Sequence, residues 1–303
     1  MTVATRERLV GDWGTTRLRL FHLRGDAIID RVEGPGIGVA DAPPADVLAT
    51  VLARWRSAER ARDVTLCGMV GSRNGLVETG YADAPAGVAD WAAAAQRIVL
   101  DGFRITIAPG VACRRDDGAA DVMRGEETQI FGAMALDPAL SRGRHLIALP
   151  GTHGKWARVA DGRIVSFRTY LTGELFALLR DRSTLLRVGD DPADEAEGFA
   201  AGLARIGGGD LAGSLFETRA AQLRDGRSAG WAAGFLSGLL IGTEVQGGVG
   251  DARAVVLVGA PALVARYRSV LDGMAIATTV LDGDACAIAG LARLGALDEE
   301  RAR

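Results

Sequence analysis

Apolar and polar residues alternate along Leu18-Arg19-Leu20-Phe21-His22-Leu23 and again, after a Gly25–Asp26 turn, along "AIIDRVEG" (27–34). A period of two on both sides of such a turn predicts a β-hairpin. A second hairpin is predicted where "KWARV" (155–159) turns through "ADG" into "RIVSFRTY" (163–170). Apolar runs bounded by glycine or proline predict buried strands at "DVTLCGMVGSR" (63–73, ending in a Gly-rich loop), "FRITIAPG" (103–110), "RHLIALPG" (144–151), "AVVLVGA" (254–260) and near 275–281. Helices are predicted over 45–60, "DWAAAAQRI" (90–98), "GEETQIFGAMAL" (125–136) and "TGELFALLRDRSTLL" (172–186, with Thr172 as N-cap). More follow an Asp-rich loop, over about 193–248, from about 261 and over 284–295. Strands alternating with helices predict an α/β fold.

Composition narrows the picture. The 303 residues are 48% apolar, enough for two domains. A net charge of −3 removes any bulk electrostatic case for nucleic acid or an anionic membrane. Cys67, Cys113 and Cys286 are far apart and form no CxxC, which excludes a disulfide framework or a zinc site and fits a cytoplasmic protein. "MTVATRERLV" has no apolar core of a signal peptide. The longest apolar stretch, "GWAAGFLSGLLIG" (230–242), has 13 residues, too short for a bilayer, and predicts a buried helix. Of 35 Lys and Arg, only Lys155 is lysine.

The two predicted hairpins share an opening. Gly11-x-x-Gly14 precedes one and Gly151-x-x-Gly154 the other. Glycine lets backbone N–H groups approach a phosphate chain with no Cβ in the way. Thr15 and Thr16 add donors to the first loop, and Asp12 is placed to hold Mg²⁺ through water. Thr152, His153 and Lys155 add donors and charge to the second. His153 bonding its local backbone is the alternative for that residue. Trp13 and Trp156 are expected to pack beneath their loops.

"DWGTTRLRL", "CGMVGSRNG", "DVMRGEETQIFG", "LPGTHGKW" and "FRTYLTGELFALL" together resemble the 2-dehydro-3-deoxygalactonokinase family, in order and over almost the whole chain. That family is similar to the actin-like, sugar-kinase and chaperone-ATPase superfamily. The resemblance implies two ribonuclease-H-like domains around a nucleotide cleft. Residues 1–124 would carry the first phosphate loop and the substrate loops, and residues 125–303 the second phosphate loop and the adenosine loop. The last helix, from about 284, would return to the first domain. Gly11, Asp12, Gly14, Thr15 and Thr16 are then the first phosphate loop, and Gly151, Thr152, His153 and Lys155 the second. Gly259 and Ala260, in "VLVGAP", resemble the adenosine loop. The implied reaction is ATP- and Mg²⁺-dependent phosphorylation of the 6-hydroxyl of 2-dehydro-3-deoxy-D-galactonate.

The same likeness places the base. "RGEETQIFGAM" is similar to the "GDQQAALFG" pattern of carbohydrate kinases, with Glu126 where the superfamily has Asp. Glu is one methylene longer, so Asp121, five residues earlier, stays a rival. A substrate carboxylate calls for the bidentate fork of an arginine. Arg73, Arg124 and Arg168 are the candidates, with Arg124 alternatively steadying the neighbouring acid. Ser72 and Thr169 are candidates for sugar hydroxyls. A homodimer is compatible with the sequence. The alternatives are a kinase for another sugar or sugar acid, and a nucleotide-binding regulatory protein of the same fold without phosphotransfer.

Overall fold

A computed structural model describes residues 7–56, 61–115, 117–186 and 193–302. The elements run β1 (Glu7–Trp13), β2 (Arg17–Arg24), β3 (Ala27–Pro35), α1 (Pro44–Leu52), β4 (Asp63–Gly68), β5 (Tyr81–Asp83), β6 (Ala86–Gly87), α2 (Val88–Ala93), β7 (Gln96–Leu100), β8 (Phe103–Ile107), β9 (Gly110–Arg114), β10 (Ala120–Met123) and α3 (Glu126–Leu136). They continue with β11 (Arg144–Leu149), β12 (Gly154–Ala160), β13 (Arg163–Tyr170), α4 (Thr172–Arg182), α5 (Glu195–Leu203), α6 (Leu211–Arg224), α7 (Ala229–Val249), β14 (Ala254–Gly259), α8 (Pro261–Gly273), β15 (Ala277–Asp282) and α9 (Gly283–Ala302).

Both hairpins form. The second turns at Asp161 and Gly162, both with positive φ (48° and 75°), the type I′ geometry that matches strand twist. The lead-in to the first hairpin, Leu9 and Val10, is itself strand β1, paired antiparallel with β2 and parallel with β4. Three expectations need correction. The predicted helix 90–98 stops at Ala93, and Gln96-Arg97-Ile98 enter β7, where Ile98 faces Ile105 across β8. That pairing overrides local helical spacing. Thr172 is the first residue of α4, and Leu171 precedes it as N-cap. The helix 45–60 ends at Leu52, with a 3₁₀ turn to Trp55. Residues 57–60, and the Asp-rich loop before residue 193, lie outside the described residues.

The sheets repeat one plan. A six-stranded sheet has the order β3-β2-β1-β4-β8-β7, and another has β15-β14-β11-β12-β13-β6. Each sets a hairpin beside a strand whose other neighbour is parallel, β4 in the first and β14 in the second. A three-stranded sheet, β10-β9-β5, stands apart.

The described residues divide into two compact units. One comprises those of Met1–His145, Ala157–Phe167 and Leu281–Arg303, the other those of Leu146–Trp156 and Arg168–Val280. In the first, Leu9, Trp13, Leu18 and Leu20 pack with Leu48, Leu52, Leu66 and Ile105. In the second, Trp156, Ile241, Val245, Leu257, Tyr267 and Leu271 form the core. Trp13 and Trp156 are both buried, one in each core.

Within the first unit α3 and α9 cross with their backbones almost touching. A Cβ at Gly132 would lie 1.7 Å from the Cys286 carbonyl oxygen, and one at Gly290 would lie 2.1 Å from that of Thr128. Neither helix can retreat without opening the site its N-terminus helps to form. Gly132→Ala is therefore expected to destabilise the protein by about 3 kcal/mol or more. Thermal unfolding checks it: a melting temperature within 2 °C of wild type would mean that the helices slide apart at little cost.

Candidate active site

Strands β1 and β4 run parallel and end side by side, and the carboxyl end of such strands is where α/β sheets place ligands. Asp12 stands there. Its cross-strand partner is Arg19 on β2, whose Nη2 donates to Asp12 Oδ2 at 2.7 Å. The other arm of the same guanidinium pairs with Asp284 in the first turn of α9. Gly68, at the end of β4, has φ of +90°, and a Cβ there would lie 2.9 Å from Asp12 Oδ1. Glycine at 68 thus keeps that face of the carboxylate uncrowded. A Cβ on Gly125, which precedes α3 with φ of +109°, would lie 3.4 Å from the Gly68 Cα. The N-terminus of α3 therefore abuts the end of β4. Burial, the largest influence, lifts the Asp12 carboxyl above its ordinary value, Glu126 and Asp284 add to it, and Arg19 opposes it.

The first loop is tied from an unexpected side. Gly14 N–H donates to Arg17 O at 2.9 Å, and Gly38 N–H to Thr15 O at 2.8 Å. A Cβ on Gly36 would lie 2.4 Å from Thr15 O and from Arg17 N. The segment "GPGIG" (34–38) thus underlies the loop, leaving Thr15 and Thr16 exposed. Gly11 lies inside β1, where a Cβ would meet Arg19 O at 2.8 Å.

Glu126 is the first residue of α3, and its Oε2 accepts the Arg124 N–H at 3.2 Å. It lies near enough to Asp12 to act on its titration. Asp121 sits on β10, its carboxylate 3.8 Å from Arg115 and accepting the Val122 N–H at 2.9 Å. Glu127 is fully buried, with Oε2 accepting the Gly125 N–H at 2.7 Å and Oε1 3.0 Å from the Thr128 hydroxyl. Burial pushes its carboxyl up to about 8, and the charge of Glu126 pushes the same way.

That shift has a sign. In the unfolded chain the Glu127 carboxyl titrates near 4.5. Between these values the folded protein holds a proton that the unfolded chain has released. Stability therefore falls as pH rises from about 4.5 through about 8. Glu127→Gln carries no charge, and its amide can accept the Gly125 N–H through oxygen and donate to the Thr128 hydroxyl through nitrogen. The variant is expected to gain on wild type as pH rises, by an amount on the order of 5 kcal/mol at the upper limit. Unfolding curves between pH 5 and pH 8 test it; parallel curves would mean that Glu127 is ionised in the fold.

The arginines separate by environment. Both Arg124 Nη atoms donate to Thr79, Nη2 to its carbonyl at 2.9 Å and Nη1 to its hydroxyl, and the guanidinium lies 4.5 Å over the Tyr81 ring. Arg73 is exposed in the loop after β4, beside Ser72, whose hydroxyl donates to Met69 O at 2.7 Å. Arg168, on the second unit, is exposed over Tyr170, with Thr169 next to it and half-buried.

In the second unit, the loop after β11 lies beside the end of parallel β14. Gly259 is packed near Pro150 O, and Ala260 is the N-cap of α8. Gly151, Thr152 and Ala260 line one cavity of 770 Å³, whose walls include Phe176, Leu240, Ile241 and Tyr267. His153 is exposed and bonded to Glu174 through its side chain. Lys155 is 3% exposed, and its ammonium donates to His153 O at 2.7 Å. Its ammonium thus clasps the loop backbone.

Sequence reasoning did not single out Arg19, Asp284, Gly36 or Gly38. Arg19 is one of 34 arginines, and only its register opposite Asp12 distinguishes it. Asp284 is 272 residues from Asp12 in sequence, and the packing of α9 against α3, β1 and β4 brings it near. Among the described residues, no group of three His, Cys, Asp or Glu side chains is arranged to hold a metal ion by itself.

The model of the 2-keto-3-deoxy-galactonokinase family matches residues 12–294. The 2-dehydro-3-deoxygalactonokinase of Escherichia coli (strain K12) is 37% identical over 287 residues, covering 92% of this chain and 94% of its own. The crystal structure of a Sinorhizobium meliloti protein described as a 2-dehydro-3-deoxygalactonokinase matches with a TM-score of 0.82 at 34% identity, covering 95% of each chain. The activator of 2-hydroxyisocaproyl-CoA dehydratase from Clostridium difficile, with bound ADPNP, matches over 98% of this chain and 97% of its own at 13% identity with a TM-score of 0.55. The fold is thus that of the actin-like ATPase and sugar-kinase class.

Proposed function

The chain belongs to the 2-keto-3-deoxy-galactonokinase family, and from that premise we propose that it transfers the γ-phosphoryl group of ATP to the 6-hydroxyl of 2-dehydro-3-deoxy-D-galactonate. The acceptor oxygen bonds to the γ-phosphorus, the bond from that phosphorus to the β–γ bridging oxygen breaks, and ADP leaves. Such transfer depends on positioning, charge neutralisation and an acceptor for the hydroxyl proton. The observation that carries the proposal is the meeting of Asp12 and Glu126 at the ends of β1 and β4 in one unit. One acid serves the phosphate side and the other takes the proton.

Mg²⁺ is part of the proposal. It favours one or two carboxylates together with substrate phosphates and water, over a cage of protein ligands. Asp12 fits that demand, with Oδ1 beside the side-chain-free Gly68 and with further acids near it. Bound there, the ion would neutralise phosphate charge as the γ-group leaves. Arg19 holds the other oxygen and fixes the carboxylate's direction.

In the second unit, Gly151, Thr152 and Ala260 are proposed to face the nucleotide in the 770 Å³ cavity. For the sugar-acid carboxylate, Arg73 is favoured over Arg124, whose terminal nitrogens are engaged with Thr79. No described helix is long and apolar enough to cross a membrane. The three cysteines are free and buried, and we place the enzyme in the cytoplasm with its ATP.

The test is ADP release with ATP, Mg²⁺ and 2-dehydro-3-deoxy-D-galactonate, repeated with the gluconate epimer, with gluconate and without acceptor. Turnover confined to the galactonate compound is the expected result. ATP binding with no acceptor-dependent ADP release would favour a regulatory protein of the same fold.

A further inference from the structure

Glu244 lies in the middle of α7, 2% exposed, among apolar neighbours on a helix that is almost wholly buried. A carboxylate at that depth is costly unless bonded. Its Oε1 accepts the Trp156 indole N–H at 2.9 Å, and its Oε2 accepts the Tyr267 hydroxyl at 2.7 Å. The Thr172 hydroxyl bonds to it as well; burial, the largest influence, lifts its carboxyl above the ordinary value, and these hydrogen bonds and the charge of Lys155 oppose that. A Cβ on Gly154 would lie 2.4 Å from Glu244 Oε1. The second glycine of this G-x-x-G therefore makes room for the carboxylate beneath the loop.

Four segments of the second unit thus meet on one side chain: the start of β12 below the loop, the first residue of α4, the middle of α7 and helix α8. Glu244 does not line the 770 Å³ cavity, yet Thr172 and Tyr267 do, together with Gly151 and Thr152. Gly173 closes the arrangement, since a Cβ there would lie 2.5 Å from Gly151 O. The loop is thereby wedged between α4 above and Glu244 below.

We propose that Glu244 is a positioning residue for the nucleotide, fixing the Gly151–Lys155 loop and the Thr172 and Tyr267 wall in the arrangement that receives ATP. Lys155 belongs to the same device. Its compact ammonium, on a residue 3% exposed, turns back onto the His153 carbonyl at 2.7 Å. The proposal rests on the nucleotide assignment of the cavity.

The experiment is calorimetric titration with ATP and, separately, with the sugar acid, using wild type, Glu244→Gln, Tyr267→Phe and the double variant. Glu244→Gln is expected to weaken ATP binding at least tenfold and to leave the sugar-acid Kd within twofold. Tyr267→Phe should weaken ATP binding about threefold. The double variant should bind ATP no more weakly than Glu244→Gln, because the hydroxyl acts through the carboxylate. In turnover, the KM for ATP should rise while kcat stays within threefold. Equal ATP affinity in wild type and Glu244→Gln overturns the role of Glu244. So does an equal loss for both ligands, which marks a general loss of structure. If Glu244→Gln does not fold, Tyr267→Phe decides, and unchanged ATP affinity there overturns the proposal. Wild-type protein that binds no ATP overturns instead the nucleotide assignment of the cavity.

Discussion

Glu126→Gln is expected to lower kcat about 10³-fold, within the ~10²–10⁴ that a positioned general base supplies. The amide keeps the size of the side chain and an oxygen for the Arg124 N–H, and loses only the ability to take a proton. The KM for ATP should stay within threefold. Two controls surround it. Asp121→Asn should retain activity within threefold, because that carboxylate is turned to Arg115 and its own strand. Glu127→Gln should also retain activity, because Glu127 is fully buried and cannot reach a substrate. A large loss at Asp121 with Glu126→Gln active would move the base to β10.

Asp12→Ala should cost a comparable factor, about 10³ in kcat, the scale on which a single preorganised charge stabiliser acts. Two effects combine. The oxygen proposed to face Mg²⁺ is gone, and Arg19 loses one of its two acids, leaving its cation turned toward Asp284 alone. The Arg19–Asp12 pair is partly exposed, so its loss should cost stability roughly 1 kcal/mol or less. Activity should therefore fall far more than the melting temperature. Titrating Mg²⁺ against turnover completes the test: a variant with unchanged kcat and unchanged Mg²⁺ dependence would leave Asp12 as no more than a partner for Arg19.

The parts legible in the sequence are those that depend on neighbours in the chain. Strand periodicity around Leu18–Leu23 and the Asp161–Gly162 turn are local, and both hairpins form where expected. The helix predicted over 90–98 overruns into Gln96–Ile98 of β7 because the preference of Ala92–Ala95 is local and the pairing of Ile98 with Ile105 is not. β5 and β6, of three and two residues, are too short to show any period. The site divides in the same way. The glycines of "GDWGTT" and "PGTHGKW" stand out by their repeated spacing; the fold leaves no room for a Cβ at Gly11, against Arg19 O, or at Gly154, against the Glu244 carboxylate, while Gly151 is open. Arg19, Asp284 and Glu244 do not stand out, because what distinguishes each is a partner far away in sequence. For Lys155, residue chemistry suggests a phosphate-loop cation, and the fold adds a bond from its ammonium to the His153 carbonyl that the sequence does not mark.

The crossing of α3 and α9 bears on how the protein is made. Asp284 and the glycine contacts that seat α3 come from the segment after residue 281, which joins the same unit as β1. A chain emerging from the ribosome can complete the segments 146–156 and 168–280 before that helix exists. The unit that holds Asp12 and Glu126 must wait for Gly283–Ala302. A chain cut short near residue 280 should therefore be inactive, although Asp12, Glu126 and both glycine loops are already present.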